Sequence, residues 1–76
     1  MAGREDAQQA ADALALALEE AGLDVGRAFP LLHAAIGRDG APAVEIGHLA
    51  PAVAGQLADL IARAAAGGIT VDVLRD

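Results

Sequence analysis

Pro30 interrupts a segment whose apolar spacing otherwise fits a helix, and it decides between two fold classes. Apolar residues recur at helical intervals around it, at Val25, Phe29, Leu32 and Ile36. A proline inside a helix removes a hydrogen bond and clashes with the preceding turn at a cost of about 3 kcal/mol. The residue before a proline also favours extended backbone. We therefore predict an extended run over residues 29–36, and a helix over residues 25–36 stays open as the alternative.

The sequence after Ile36 favours a β-hairpin. GRDGAP, residues 37–42, contains Asp39-Gly40, a pair typical of hairpin turns, and residues 43–46 read as a short apolar strand. With Ile36 roughly opposite Val44, one face of the hairpin carries Leu32, Ala34, Ile36, Val44 and Ile46. The other face carries Phe29, Leu31, His33 and Glu45. We therefore expect Phe29 and Leu31 to be exposed and available to a partner.

Helices are predicted on both sides of the hairpin. Residues 6–21 are mostly strong helix formers, with Asp6 as the N-cap and Gly22 as a left-handed C-cap. Leu23, just beyond Gly22, is placed to pack back on Leu18. Leu16 points about 200° away from Leu14, which favours a single exposed leucine and leaves a second packing surface open as the alternative.

A second helix is predicted over residues 51–67. Pro51 suits its first position and Gly67 a left-handed C-cap. Its apolar stripe is Val53, Leu57, Leu60, Ile61 and Ala64. Residues 69–73 then alternate in the manner of a short terminal strand.

These elements predict an α+β fold in the order α-β-β-α-β, a small sheet with two helices on one face. The alternative is a mainly α, three-helix domain with a short C-terminal strand. We expect residues 1–76 to form a single small domain whose residues 1–5 are frayed.

The short length and the absence of cysteine favour assembly with a partner. A chain of 76 residues buries roughly 60% of its unfolded surface, so its core is marginal. Disulfides and thiolate metal sites are excluded because the chain has no cysteine. A second chain is the remaining way to bury more apolar surface, unless the core is unusually compact.

The inventory of reactive side chains argues against an enzyme. Serine, lysine and tyrosine are absent, and Thr70 carries the chain's single side-chain hydroxyl. Catalysis usually needs a nucleophile, a positioned acid or base, or a metal. His33 and His48 are 15 residues apart and lack the spacing that places two metal ligands on one helix face. We therefore expect no catalytic residues, no metal and no cofactor.

The charge of the chain limits its partners. The net charge is −6, which repels phosphate backbones and anionic lipids, so direct nucleic-acid or membrane binding is not expected. The sequence MAGREDAQQ at the start is charged and polar, unlike a secretory signal. We therefore expect a cytoplasmic protein.

The candidate interface consists of Leu16, Phe29 and Leu31, together with an acidic patch of Glu19, Glu20 and Asp24. The first hypothesis is a non-enzymatic protein–protein interaction module or small assembly subunit, as a self-associating homodimer or docked on a larger protein. The second is an acidic inhibitor of the antitoxin or immunity type that masks a basic partner surface. A site formed by His33 and Glu45 is the least favoured hypothesis.

Overall fold

The computed structural model describes residues 2–71, and their side chains from Glu5 onward. The elements are three helices and a two-stranded antiparallel sheet: α1 (Ala2–Glu20), α2 (Val25–Ala28), β1 (His33–Ile36), β2 (Pro42–Glu45) and α3 (Pro51–Ala66). The predicted α+β class is therefore confirmed, and the mainly helical alternative is wrong.

Pro30 has the expected effect on the segment around it. α2 is a single turn that ends at Ala28, directly before Phe29 and Pro30. The Phe29 amide closes this turn on the Val25 carbonyl at 2.8 Å, and a bend follows before β1 starts. The extended run thus begins at His33, four residues later than predicted, because the residues beside Pro30 form the turn.

The hairpin loop sets a register that differs from the prediction by two residues. Gly37 and Gly40 are joined by a hydrogen bond of 2.9 Å, and Gly40 has φ +84°. This is a three-residue loop, a turn followed by a left-handed glycine that adds a bulge. Ile36 therefore pairs with Pro42, and Ala34 pairs with Val44. A shift of two residues leaves every strand side chain on its predicted face.

α1 begins earlier than predicted and ends as predicted. Its first residue is Ala2 rather than Asp6, so residues 2–5 are helical, and Glu5 in the first turn favours the helix dipole. At the other end, Gly22 has φ +103° and the Leu23 amide donates to the Leu18 carbonyl at 3.0 Å. Both leucines are buried, which confirms the predicted contact across the C-cap.

α3 uses a different glycine at its C-terminal end than predicted. Gly67 has φ −86°, whereas Gly68 has φ +87°. The Ile69 amide donates to the Ala64 carbonyl at 2.8 Å, so Gly68 is the left-handed residue of the cap. The predicted strand over residues 69–73 is not seen in residues 69–71, which are irregular, and its remainder lies outside the described residues.

The core is small and lies where α1 ends. Among the described residues, the buried side chains are Ala7, Ala11, Leu18, Leu23 and Phe29. α1 lies across both strands. Half-buried apolar residues of α3 pack against the cluster that Leu18, Leu23 and Phe29 form, beside the hairpin.

The predicted exposure of one residue and the predicted burial of another are wrong. Phe29 is 3% exposed, so it is a core residue and not part of an open interface. The turn at Pro30 takes Phe29 out of the strand alternation and turns its ring inward. Ile61, predicted in the buried stripe of α3, is 61% exposed, because that helix contacts the cluster along Val53, Leu57 and Leu60.

Candidate functional site

Large apolar side chains are exposed on several elements. Leu16 on α1 is 60% exposed and lies on the side of the helix opposite Leu18, as predicted. Leu31, before β1, is 58% exposed, also as predicted. Ile36 at the end of β1 and Ile61 on α3 are exposed to 60% and 61%. These four residues are called the exposed apolar set below.

Ile36 and Ile61 were not among the residues selected from the sequence. Alternation placed Ile36 on the face expected to meet the helices, but Ile36 ends its strand directly before the loop. The position of Ile36 at the end of its strand indicates exposure, because a residue at a strand end has fewer neighbours that can cover its side chain. Nothing in the helical period distinguishes Ile61 from its half-buried neighbours Leu57 and Leu60 on α3.

Leu31 is held in place by a close contact with Gly47. Gly47 has φ +82°, and a Cβ atom added there would lie 2.8 Å from the Leu31 Cβ. The backbone of residue 47 therefore supports one side of Leu31 while the other side stays open. Leu31 is therefore a member of the exposed apolar set whose side chain is held in place by a neighbouring backbone segment.

The predicted acidic patch lies at the C-terminal end of α1. Glu19, Glu20 and Asp24 are all exposed, and the last turn of α1 holds no basic residue. Within the described residues, the one carboxylate within 4 Å of a cationic nitrogen is Glu45, beside His33. The carboxylates of the patch are therefore unpaired there, next to the negative end of the helix dipole.

His33 and Glu45, the least favoured candidate site, are direct cross-strand partners. The His33 Nε2 and the Glu45 Oε1 lie 3.6 Å apart, and both side chains are more than half exposed. The His33 Nδ1–H donates to the Leu31 carbonyl, since a carbonyl can only accept. This contact fixes the ring and leaves Nε2 facing the carboxylate.

His33 and Glu45 are not joined by a third metal-ligating side chain among the described residues. Among the described residues, no three His, Cys, Asp or Glu side chains are grouped to hold a metal ion. The chain has no serine, cysteine, lysine or tyrosine to act as a nucleophile. Because 3.6 Å exceeds hydrogen-bond length, the pair is a surface electrostatic contact at the open end of the hairpin.

A shallow cleft of about 230 Å³ lies between the end of α1 and the polar side of α3. Gln56, Asp59 and Arg63 line it from α3, and Gly22 and Leu23 line it from the α1 cap. The volume falls below the roughly 300 Å³ at which small-molecule pockets begin. The cleft marks where α3 rests against the rest of the chain.

Comparison with family models, curated protein sequences and solved structures finds no match for this chain. Within residues 2–71, no helix combines the length and the apolar character needed to cross a bilayer.

Proposed function

We propose that this chain is a non-enzymatic protein–protein interaction module that self-associates as a small assembly subunit. The observation that carries the proposal is the large surface of the isolated chain. Its accessible area is 6032 Å², whereas a compact monomer of 7.5 kDa exposes about 4,200 Å². The difference is roughly 1,800 Å², more than twice the ~800 Å² that each partner contributes to a standard interface.

The character of the surface supports the same proposal. The described residues after α3 contribute to this excess, since Ile69 and Val71 are 71% and 89% exposed. The exposed apolar set places Leu or Ile side chains on α1, β1, α3 and the turn before β1. Burying such side chains between copies is the stabilisation available to a cysteine-free chain with a small core.

Thermal unfolding at two protein concentrations 100-fold apart tests the proposal. A self-associating chain gains stability by mass action, so its Tm rises with concentration. An identical Tm at both concentrations would contradict self-association in that range.

A second candidate function rests on the unpaired acidic patch. Glu19, Glu20 and Asp24, next to the negative end of α1, suit an acidic inhibitor that masks a basic surface of another protein. The dependence of binding on salt concentration distinguishes the two candidate functions. Binding to a basic partner weakens as salt is added, whereas association between two copies of charge −6 strengthens as their repulsion is screened.

A further inference from the structure

The hydrogen-bond pattern of the hairpin shows which backbone groups point away from it. The Gly37 amide donates to the Ala41 carbonyl at 2.7 Å, which makes these two residues a hydrogen-bonded pair. Hydrogen-bonded and non-hydrogen-bonded pairs alternate along an antiparallel ladder. With the observed register, the non-hydrogen-bonded pairs are Ile36–Pro42 and Ala34–Val44. The backbone groups of these residues point outward.

The two outer edges of the hairpin are not equivalent. On β1, Ala34 and Ile36 each direct an N–H and a C=O outward, and we call these four groups the β1 edge. On β2, Pro42 has no N–H to offer. Proline on an outer strand blunts an edge against pairing. The β2 edge therefore offers three outward backbone groups against four on the β1 edge, so strand addition is favoured on the β1 side.

The β1 edge has no partner within the described residues. The sheet there has two strands, and no backbone hydrogen bond from another element reaches Ala34 or Ile36. An isolated two-stranded hairpin is marginally stable, and a third strand strengthens it. An added strand would satisfy four backbone groups at once.

We infer that the β1 edge pairs with the β1 edge of a second copy, antiparallel and about a two-fold axis at Ala35. The inference rests on the proposed self-association and names the surface through which it occurs. Ala34 of each copy then faces Ile36 of the other in a hydrogen-bonded pair, which joins the two hairpins into one four-stranded sheet.

Side-chain size fits this pairing. Ala34 and Ala35 are small and half-buried, whereas Ile36 is exposed. Across the edge, each Ile36 lies directly opposite the Ala34 methyl group of the other copy, so a large side chain meets a small one twice.

The distribution of charge also favours a second copy on this edge. Two chains of net charge −6 repel each other, but residues 25–38 contain no Asp or Glu. That segment carries Arg27, His33 and Arg38. The β1 segment itself therefore adds no carboxylate to the shared edge, and a carboxylate lies beside it at Glu45 on β2, across from His33.

Residue-resolved amide hydrogen exchange, measured above and below the association range, tests the inference. We expect the Ala34 and Ile36 amides to exchange at least about tenfold more slowly in the concentrated sample. Ala35 provides the internal reference, because its amide is bonded within the hairpin at every concentration.

Three other outcomes would overturn the inference. A dimer whose Ala34 and Ile36 amides exchange as fast as in the dilute sample would place the interface elsewhere and leave the proposed function intact. A chain that stays monomeric at all concentrations would contradict both the pairing of the β1 edges and the proposed self-association. Slow exchange that does not depend on concentration would mean that the edge is covered within one chain.

Matched substitutions provide a second test. Ile36→Asp places like charges on the shared sheet, and we expect it to raise the dimer dissociation constant by about tenfold or more. Ile69→Asp is the control, because Ile69 is also an exposed isoleucine, at 71%, and belongs neither to the exposed apolar set nor to the β1 edge. It should leave dimerisation unchanged. Circular dichroism and Tm in the dilute sample verify that both variants fold. Equal loss of dimer in both variants would contradict pairing through β1.

Discussion

At the scale of single residues, Gly47 is the position where a small change has the largest expected effect. Its φ of +82° disfavours any side chain, and a Cβ atom would clash with Leu31. We expect Gly47→Ala to destabilise the fold by at least about 1–2 kcal/mol. In a chain of this size that corresponds to a fall in Tm of at least ~4–8 °C, measured by thermal unfolding of the dilute sample.

Gly55 provides the control for this substitution. It lies within α3, is exposed, and has open space where a Cβ atom would be. Gly55→Ala should therefore stabilise the chain by about 0.5–1 kcal/mol through helix propensity. A Gly47→Ala variant as stable as the parent would show that Leu31 and the loop move apart freely.

Local sequence rules predict the conformation of residues whose contacts lie close to them in the sequence. Gly22, Leu18 and Leu23 form the expected cap because that motif depends on six consecutive residues. The prediction that Phe29 is exposed is wrong because it assumes that the alternation of strand side chains continues through Pro30. The chain instead turns at Pro30, and the Phe29 ring is buried. The burial of a residue beside a turn depends on how distant elements pack, and the sequence pattern does not carry that information.

At the scale of elements, α3 is the least firmly held helix. None of its residues is buried, whereas α1 contributes Ala7, Ala11 and Leu18 to the core. Elements with few buried apolar contacts open locally at low free energy. We therefore expect central amides of α3 to exchange at least about tenfold faster than central amides of α1 in the dilute sample. Equal rates in both helices would show that they unfold as one unit.

The elements themselves could be predicted more readily than their contacts. Pro51 marks the start of α3 and Pro30 the end of α2, because a proline restricts the chain locally. The hairpin register was off by two residues because the loop has three residues and a bulge. The side of α3 that faces the core depends on its packing against the cluster at the end of α1. The spacing of apolar residues along α3 does not determine that packing.

At the scale of the whole molecule, area, charge and topology favour the same interpretation. The isolated chain exposes more surface than a compact monomer, the described sheet has one blunted and one open edge, and the segment that carries the open edge, residues 25–38, contains no Asp or Glu. Composition predicts the need for a partner. The edge at which we propose that a second copy pairs follows from the register, which the sequence alone did not predict.

The molar mass of the purified chain in solution, measured by light scattering over a range of concentrations at high salt, tests self-association most directly. We expect the mass to rise with concentration from the 7.5 kDa of one chain to twice that value, and the transition to move to lower concentration as salt is added. A mass that stays at one chain up to millimolar concentration would contradict self-association, and with it the pairing of two β1 edges.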